Sequence, residues 1–390
     1  VGLLVLAFHA VWIAAFLASG HEARDFVRIG YRFVQQSSVS PAIKFDPSYH
    51  YPPNPGAADG NGYDGEFGYY MALDPVNARY YMDEPAYRYT RVVYPLLAAV
   101  LALGRPDLVP YTLLLVNWLA IGLGTVAVAA WLRRRGSHPA FALLFGLYPG
   151  LLVGLQRDLT EPLAYAITAF GVYLRDARRS PWPAAVAFGV AGLARQTTIV
   201  FPAAYAVAML LAGEGPLVQR ARRNLPRATA FMLVAAGPIV AWTLFLRVWL
   251  GAFGRGSGLD AVPLLGLARF LLGRWHLAQH VPLVVAVLAP SILWIAVTVL
   301  VYRRRGLSVE LALFWVNSLL FLFWIGSINY TTYTQIGRDI VGVILAALLC
   351  VPLLGRGRAT ENRLAGAAIL LWLSILPVVL VYGFLNIKVT

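Results

Sequence analysis

The sequence predicts an all-α polytopic membrane protein, a bundle of about 10–12 membrane helices, some short or re-entrant, with a large first extracytoplasmic loop. Three observations carry this expectation. Of 390 residues 59% are hydrophobic and 13% charged, and the mean hydropathy is +0.67, a balance foreign to ordinary soluble domains. Apolar runs approach the roughly 20 residues that cross hydrocarbon, and runs such as Tyr111 to Leu132 lack the alternating polarity of barrel strands. Finally, 16 of the 32 basic residues fall in five short connections: Arg133 to Arg135, Arg175 to Arg179, Arg220 to Arg227, Arg303 to Arg305 and Arg356 to Arg363. That is the positive-inside pattern.

Gly2 to Leu17 is the first span; Ala18 and Ser19 would suit a cleavage site, but the segment is read as an uncleaved helix. Gly20 to Arg91 is a long polar excursion. Tyr94 to Leu103 is too short to span and is read as re-entrant or interfacial. Tyr111 to Leu132 is a full span, followed by the pairs Phe141 to Leu155 with Leu163 to Leu174 and Ala184 to Ala194 with Ile199 to Leu211. Ala228 to Leu250, Val281 to Tyr302, Leu311 to Ile325, Ile340 to Leu354 and Leu364 to Phe384 complete the set. We divide the chain into a catalytic-type module, 1–212, which includes loop 20–91, and C-terminal transmembrane helices, 213–390.

With the arginine-rich connections in the cytoplasm, the loop and the turns at Arg157, Arg195, Gly251 to His280 and Ser327 to Asp339 share the opposite face. The net charge of +14 is therefore a topology signal, and nucleic acid is not an expected partner. The single cysteine, Cys350, excludes a disulfide framework. His276 and His280 have helical spacing but no third ligand nearby, so no metal site is expected.

Nine of the 18 acidic residues and ten of the 20 tyrosines lie between Gly20 and Arg91. Carboxylates bind hydroxyls and aromatic faces stack on sugars, so this composition points to carbohydrate chemistry. Arg28 and Arg32, beside Phe26, Ile29 and Phe33, read as an amphipathic surface helix. In the stretch from Gly62 to Tyr70, Asp64 and Glu66 stand between glycines, with Tyr63, Tyr69 and Tyr70 alongside. Glycines permit close approach of a ligand, and an acid there suits a general base. The other reading is a solvated carboxylate that only holds a turn.

Arg157, Asp158 and Glu161 interrupt an apolar region, where charge is expensive and is usually functional or paired. The alternative is a local ion pair of Arg157 with Glu161. Arg195, followed by Gln196, needs an anionic partner: Asp158, Glu161 or a phosphate. Arg88 and Arg91 stand where the chain re-enters the membrane and suit a phosphate, or else simple interfacial anchoring. Arg338 and Asp339 end a polar loop on the same face.

As a set, Arg88 to Pro95, the Tyr148-Pro149-Gly150 turn, Arg157 to Pro162 and Leu193 to Thr197 resemble a bacterial branch of the GT-C superfamily, distantly similar to GPI mannosyltransferases. The resemblance covers Gly2 to Leu211. It implies a polyprenyl-phosphate monosaccharide as donor, and a glycan, lipid or protein acceptor. It also implies inverting transfer on the outer side of the bacterial inner membrane, in cell-envelope glycan biosynthesis. By the same resemblance Asp64 is the general base, Glu66 a sugar or acceptor ligand, and Arg88, Arg91 and Arg195 contact phosphate. Asp158, Glu161, Tyr63, Tyr69, Tyr70 and Gln196 are expected to line the substrate site, and Arg338, in the later polar loop outside the resemblance, is expected to join them. This chain has Asp-x-Glu where several members have Asp-x-Asp, so no metal is assigned to the pair. A transporter or lipid flippase, or a noncatalytic subunit of a glycopolymer assembly, are the competing classes.

Overall fold

The computed structural model describes residues 1–49, 51, 60, 62–254, 258–274, 276–355 and 359–385. Arg356 and Arg358, two of the predicted cytoplasmic arginines, lie outside the described residues. The described chain is helical throughout, with 76% of residues in helices and no strand. Among the described residues four helices are long and apolar enough to cross a membrane, Pro106–Arg134, Leu217–Leu250, His280–Arg305 and Ala359–Phe384. The number rises to six if each of two bent helix pairs is one span. The remaining apolar segments, Gly2–Ala18, Trp182–Ala194, Gln196–Leu210 and Val309–Phe323, have 10–17 residues each, so by length alone fewer spans qualify than the sequence predicts.

The elements that build the site are α1 (Gly2–Ala18), α2 (Gly65–Leu73), α3 (Val93–Leu101), α4 (Val109–Arg134), α5 (Pro149–Gln156), α6 (Glu161–Ala177), α7 (Trp182–Ala194), α8 (Leu217–Leu250), α9 (Tyr333–Asp339) and α10 (Leu376–Leu385). Helix α1 lies against α4, where the Trp118 indole donates to the Leu6 carbonyl at 3.0 Å. Gly122 makes this approach possible, because a Cβ there would sit 2.4 Å from Leu6. From α4 the packing continues through α6 and α7 to α8. One apolar core runs from Val5 and Trp12 to Trp372 and Val379, so the division at residue 212 does not mark a packing boundary.

Acids join the arginine-rich turns at one end of the bundle. Arg135 lies 3.1 Å from Asp176 and 3.5 Å from Glu310, and Arg304 lies 3.0 Å from Glu361. Four of the five basic connections are thereby tied to their neighbours, while Arg220 caps the local carbonyls of Leu211 and Gly213.

At the other end the long loop folds onto the helices. Val27, Ile29, Phe33, Phe67, Tyr70, Met71 and Tyr81 form a second apolar cluster with Leu113 and Val116 of α4 and Leu246 of α8. The amphipathic surface helix expected around Arg28 is replaced by two short ones, Arg24–Val27 and Tyr31–Gln36. Arg28 itself takes a left-handed φ of 55° between them, and Phe26, Ile29 and Phe33 are buried in protein. Helix α3 has nine residues, about 14 Å at 1.5 Å per residue, half the thickness of the hydrocarbon. It ends at the positive-φ pair Leu103 and Gly104, which turns the chain toward α4.

Candidate functional site

The site is assembled where α2 begins. At Gly65 a Cβ would stand 2.1 Å from the Arg157 carbonyl oxygen, and at Gly62 one would stand 2.3 Å from that of Arg28. These glycines therefore admit the protein's own backbone, which seats the loop on the 157–160 turn. Asp64, just before α2, is held by two guanidinium groups: Arg88 Nη1 donates to Oδ1 at 2.9 Å and Arg338 Nη2 to Oδ2 at 2.8 Å. Arg88 also grips Asp83 with two bonds of 2.8 Å, and it lies 4.1 Å over the Phe67 ring.

Arg338 Nε is 3.9 Å from Glu161 Oε1, which makes a 2.7 Å contact with Arg195 Nη1, an ion pair rather than an aligned hydrogen bond. Arg195 Nη2 donates to Asp339 at 2.8 Å. The result is an alternating chain, Asp83, Arg88, Asp64, Arg338, Glu161, Arg195, Asp339, in which each carboxylate has a cation beside it. Burial alone would penalise every one of these charges, and mutual pairing is what makes them tolerable.

Burial raises the Asp64 carboxyl, but Arg338, Arg88 and Arg91 together outweigh it and hold Asp64 well below the usual carboxylate range. Asp158 lacks such help. Burial pushes its carboxyl well above the ordinary range, although the Tyr94 hydroxyl lies 3.3 Å away. That hydroxyl also points to the Leu113 carbonyl at 3.1 Å, so its one proton is shared between two acceptors. Asn117 completes the set, donating to Tyr94 and to the Leu159 carbonyl, each at 2.9 Å.

Asp64, Arg88, Arg91, Tyr94, Asp158 and Glu161 line one cavity of about 20 Å³, room for about one water. Along α4, Asn117 stands about 25 Å from Arg134 at 1.5 Å per residue, so this cavity and the arginine-rich turns occupy opposite ends of the bundle.

Of the residues named from sequence, the structure brings together Asp64, Arg88, Arg91, Asp158, Glu161, Arg195 and Arg338. Tyr63 joins them, its ring 4.2 Å from Arg157 and 5.4 Å from Arg338. Glu66 faces elsewhere: it accepts from the Gly30 and Gly62 amides and the Tyr70 hydroxyl at 2.9, 3.2 and 3.4 Å. Burial pushes its carboxyl up to about 8 despite those donors. Tyr70 belongs to the loop core, and Tyr69 lines a separate cleft with His21, Arg24 and Asp107. Gln196 is half-buried in the turn after Arg195.

The local pair of Arg157 with Glu161 does not form. Arg157 lies on Tyr63, while Glu161 meets Arg195. Arg88 and Arg195, expected as phosphate contacts, each already hold two carboxylates. Arg91 has a hydrogen bond to the Tyr87 hydroxyl but no carboxylate among the described residues. Sequence reasoning missed Asp83, Tyr94, Asn117 and the pairing role of Asp339. A polar residue amid the apolar α4 was the available signal for Asn117, and an acid next to Arg338 was the one for Asp339. Among the described residues no three His, Cys, Asp or Glu side chains come together as a metal site.

No family model matches the chain, and no curated protein or solved structure matches it significantly.

Proposed function

We propose that the protein is an inverting, GT-C-type membrane glycosyltransferase that uses a polyprenyl-phosphate monosaccharide, with Asp64 as general base. The observation that supports this best is that Asp64, whose carboxyl is held well below its ordinary range, lines one water-sized cavity with Arg91, which has no carboxylate contact among the described residues, and with the acids Asp158 and Glu161. In the proposed step an acceptor hydroxyl oxygen attacks the anomeric carbon and its proton passes to Asp64. The bond from that carbon to the phosphate oxygen breaks, and the polyprenyl phosphate leaves with the electron pair. Arg91 offers positive charge to the departing phosphate.

Two guanidinium bonds make Asp64 a poor base as it stands, since the charged form is already satisfied. A phosphate that draws Arg88 or Arg338 to itself would loosen that hold and raise the basicity of Asp64 when donor is present. In this reading the arginine-rich turns face the cytoplasm of a bacterial inner membrane and the site faces outward. A transporter would carry charge along its depth. Instead, the buried charged residues among those described, Glu66, Arg157, Asp158, Glu161, Arg195, Glu310 and Glu361, gather at the two ends.

The test is transfer of radiolabelled sugar from a panel of polyprenyl-phosphate monosaccharides in proteoliposomes. Asp64→Asn is expected to slow transfer by about 10²- to 10⁴-fold, the usual contribution of a positioned base. Full activity of Asp64→Ala would refute the assignment.

A further inference from the structure

A second cavity, of about 200 Å³, lies beside the first and has a different character. Arg28 and Arg157 form one part of its wall; Ala278, Pro282, Ile375 and Val378 form much of the rest. Arg157 is 93% buried, being only 7% exposed, yet it has no carboxylate partner among the described residues and rests on the Tyr63 ring. Arg28 likewise has no carboxylate partner among them, and its Nε is buried without a hydrogen bond. The left-handed backbone at Arg28 costs conformational energy, which the surrounding fold must supply. Burial and the neighbouring Arg157 push the Arg28 guanidinium down to about 9.

Two cations on the wall of one cavity, with no carboxylate in contact among the described residues, are unfavourable unless an anion completes them. Elsewhere at this end of the bundle Arg88, Arg338 and Arg195 each meet carboxylates of the chain, Asp83, Asp64, Glu161 and Asp339, and Arg91 meets the Tyr87 hydroxyl. Paired guanidinium groups match the oxygens of a phosphate. The apolar side of the cavity belongs partly to α10, whose Val378 is 44% exposed on the outside of the bundle, where acyl or isoprenoid chains would lie.

We infer that the Arg28–Arg157 cavity binds the phosphate of a lipid, with its hydrocarbon chain along Pro282, Ile375 and Val378. The inference goes beyond the transferase reading, since the site is separate from the Asp64 cavity and requires only a phosphate on an apolar chain. Tyr63 connects the two, touching Arg157 on this side and Arg338 on the other.

Binding is measured with the purified full chain by native mass spectrometry and by thermal shift, without any sugar. The probes are a C20 isoprenyl phosphate, the acidic phospholipid phosphatidylglycerol, neutral phosphatidylcholine and inorganic phosphate. Wild type is expected to prefer an acidic lipid phosphate to phosphatidylcholine. Arg28→Gln and Arg157→Gln are each expected to weaken that binding at least tenfold. Val378→Trp, which fills the apolar side and leaves both charges, should weaken the lipid probes but spare inorganic phosphate. Preference for the isoprenyl phosphate marks a specific lipid as the occupant, and equal binding of both acidic lipids marks the bulk membrane; either supports the site. Should Arg157→Gln fail to fold, Arg28→Gln and Val378→Trp carry the test. Unchanged lipid binding by folded Arg28→Gln and Val378→Trp overturns the inference, whatever the transfer assay gives.

Discussion

Replacing Arg195 with methionine tests whether the buried charge chain stabilises the fold through its pairing. The guanidinium is 8% exposed and touches two acids, Glu161 at 2.7 Å and Asp339 at 2.8 Å, whose side chains are 1% and 11% exposed. Methionine keeps the apolar stem but leaves both carboxylates short of a cation. Among the described residues, the ion pair that Glu161 keeps is with Arg338 Nε, at 3.9 Å. Removing one partner of a buried pair costs about 3–5 kcal/mol, and the remote Arg338 places Arg195→Met toward the lower figure. The informative comparison adds Glu161→Gln. If the penalty is uncompensated charge, the double variant sheds one unpaired carboxylate and recovers about 1–2 kcal/mol relative to Arg195→Met. Denaturant unfolding in micelles, followed by tryptophan fluorescence, gives the four free energies of the cycle. A double variant no more stable than Arg195→Met would refute the argument that pairing with Glu161 carries the effect.

Glu66 gives a pH dependence of definite sign. Its folded value, about 8, lies above the ordinary 4.5, so the native state holds the proton more tightly than the unfolded chain. Its stabilising contribution is complete below about 4.5 and is lost as pH rises through about 8, so thermal midpoints at pH 5, 6.5 and 8 should descend in wild type. That share of the slope should vanish in Glu66→Gln. At pH 8 Asp64 adds nothing to it: a depressed carboxyl contributes its stability above the ordinary value and loses it only in strong acid. Gly65→Ala should destabilise by about 1–3 kcal/mol and slow transfer, because the new Cβ meets the Arg157 carbonyl oxygen at 2.1 Å. Asp158→Asn should leave the melting temperature close to wild type, since Asn tolerates the φ of 46° and keeps an acceptor oxygen for Tyr94. Asp158→Ala should cost about 1–2 kcal/mol through backbone strain alone, read by the same unfolding assay.

Much of the site was legible because buried charge is chemically expensive. Arg157, Asp158, Glu161 and Arg195 stood out against apolar neighbours, and the need of Arg195 for an anion named Glu161 among its candidates. Asp64 and Arg88 stood out by the company they keep in the loop. What spacing could not convey was direction. Asp64 and Glu66 are two residues apart, yet one turns to Arg88 and Arg338 and the other to the amides of Gly30 and Gly62. The helix expected through Arg28 failed for a related reason: Phe26 found the main apolar core, Ile29 and Phe33 found the loop cluster, and the backbone reversed at Arg28 between them.

By itself the sequence determined the material of this protein: apolar helices, arginine-rich turns, and a set of charges too costly to be incidental. These follow from side-chain solvation, a property each residue brings with it wherever it lies in the chain. Tertiary structure alone decided the partners. Arg338 reaches Asp64 across 274 positions, Asp339 reaches Arg195 across 144, and Arg28 shares one cavity with Arg157. Coulomb attraction depends on a few ångströms of separation, and only the folded bundle sets those distances.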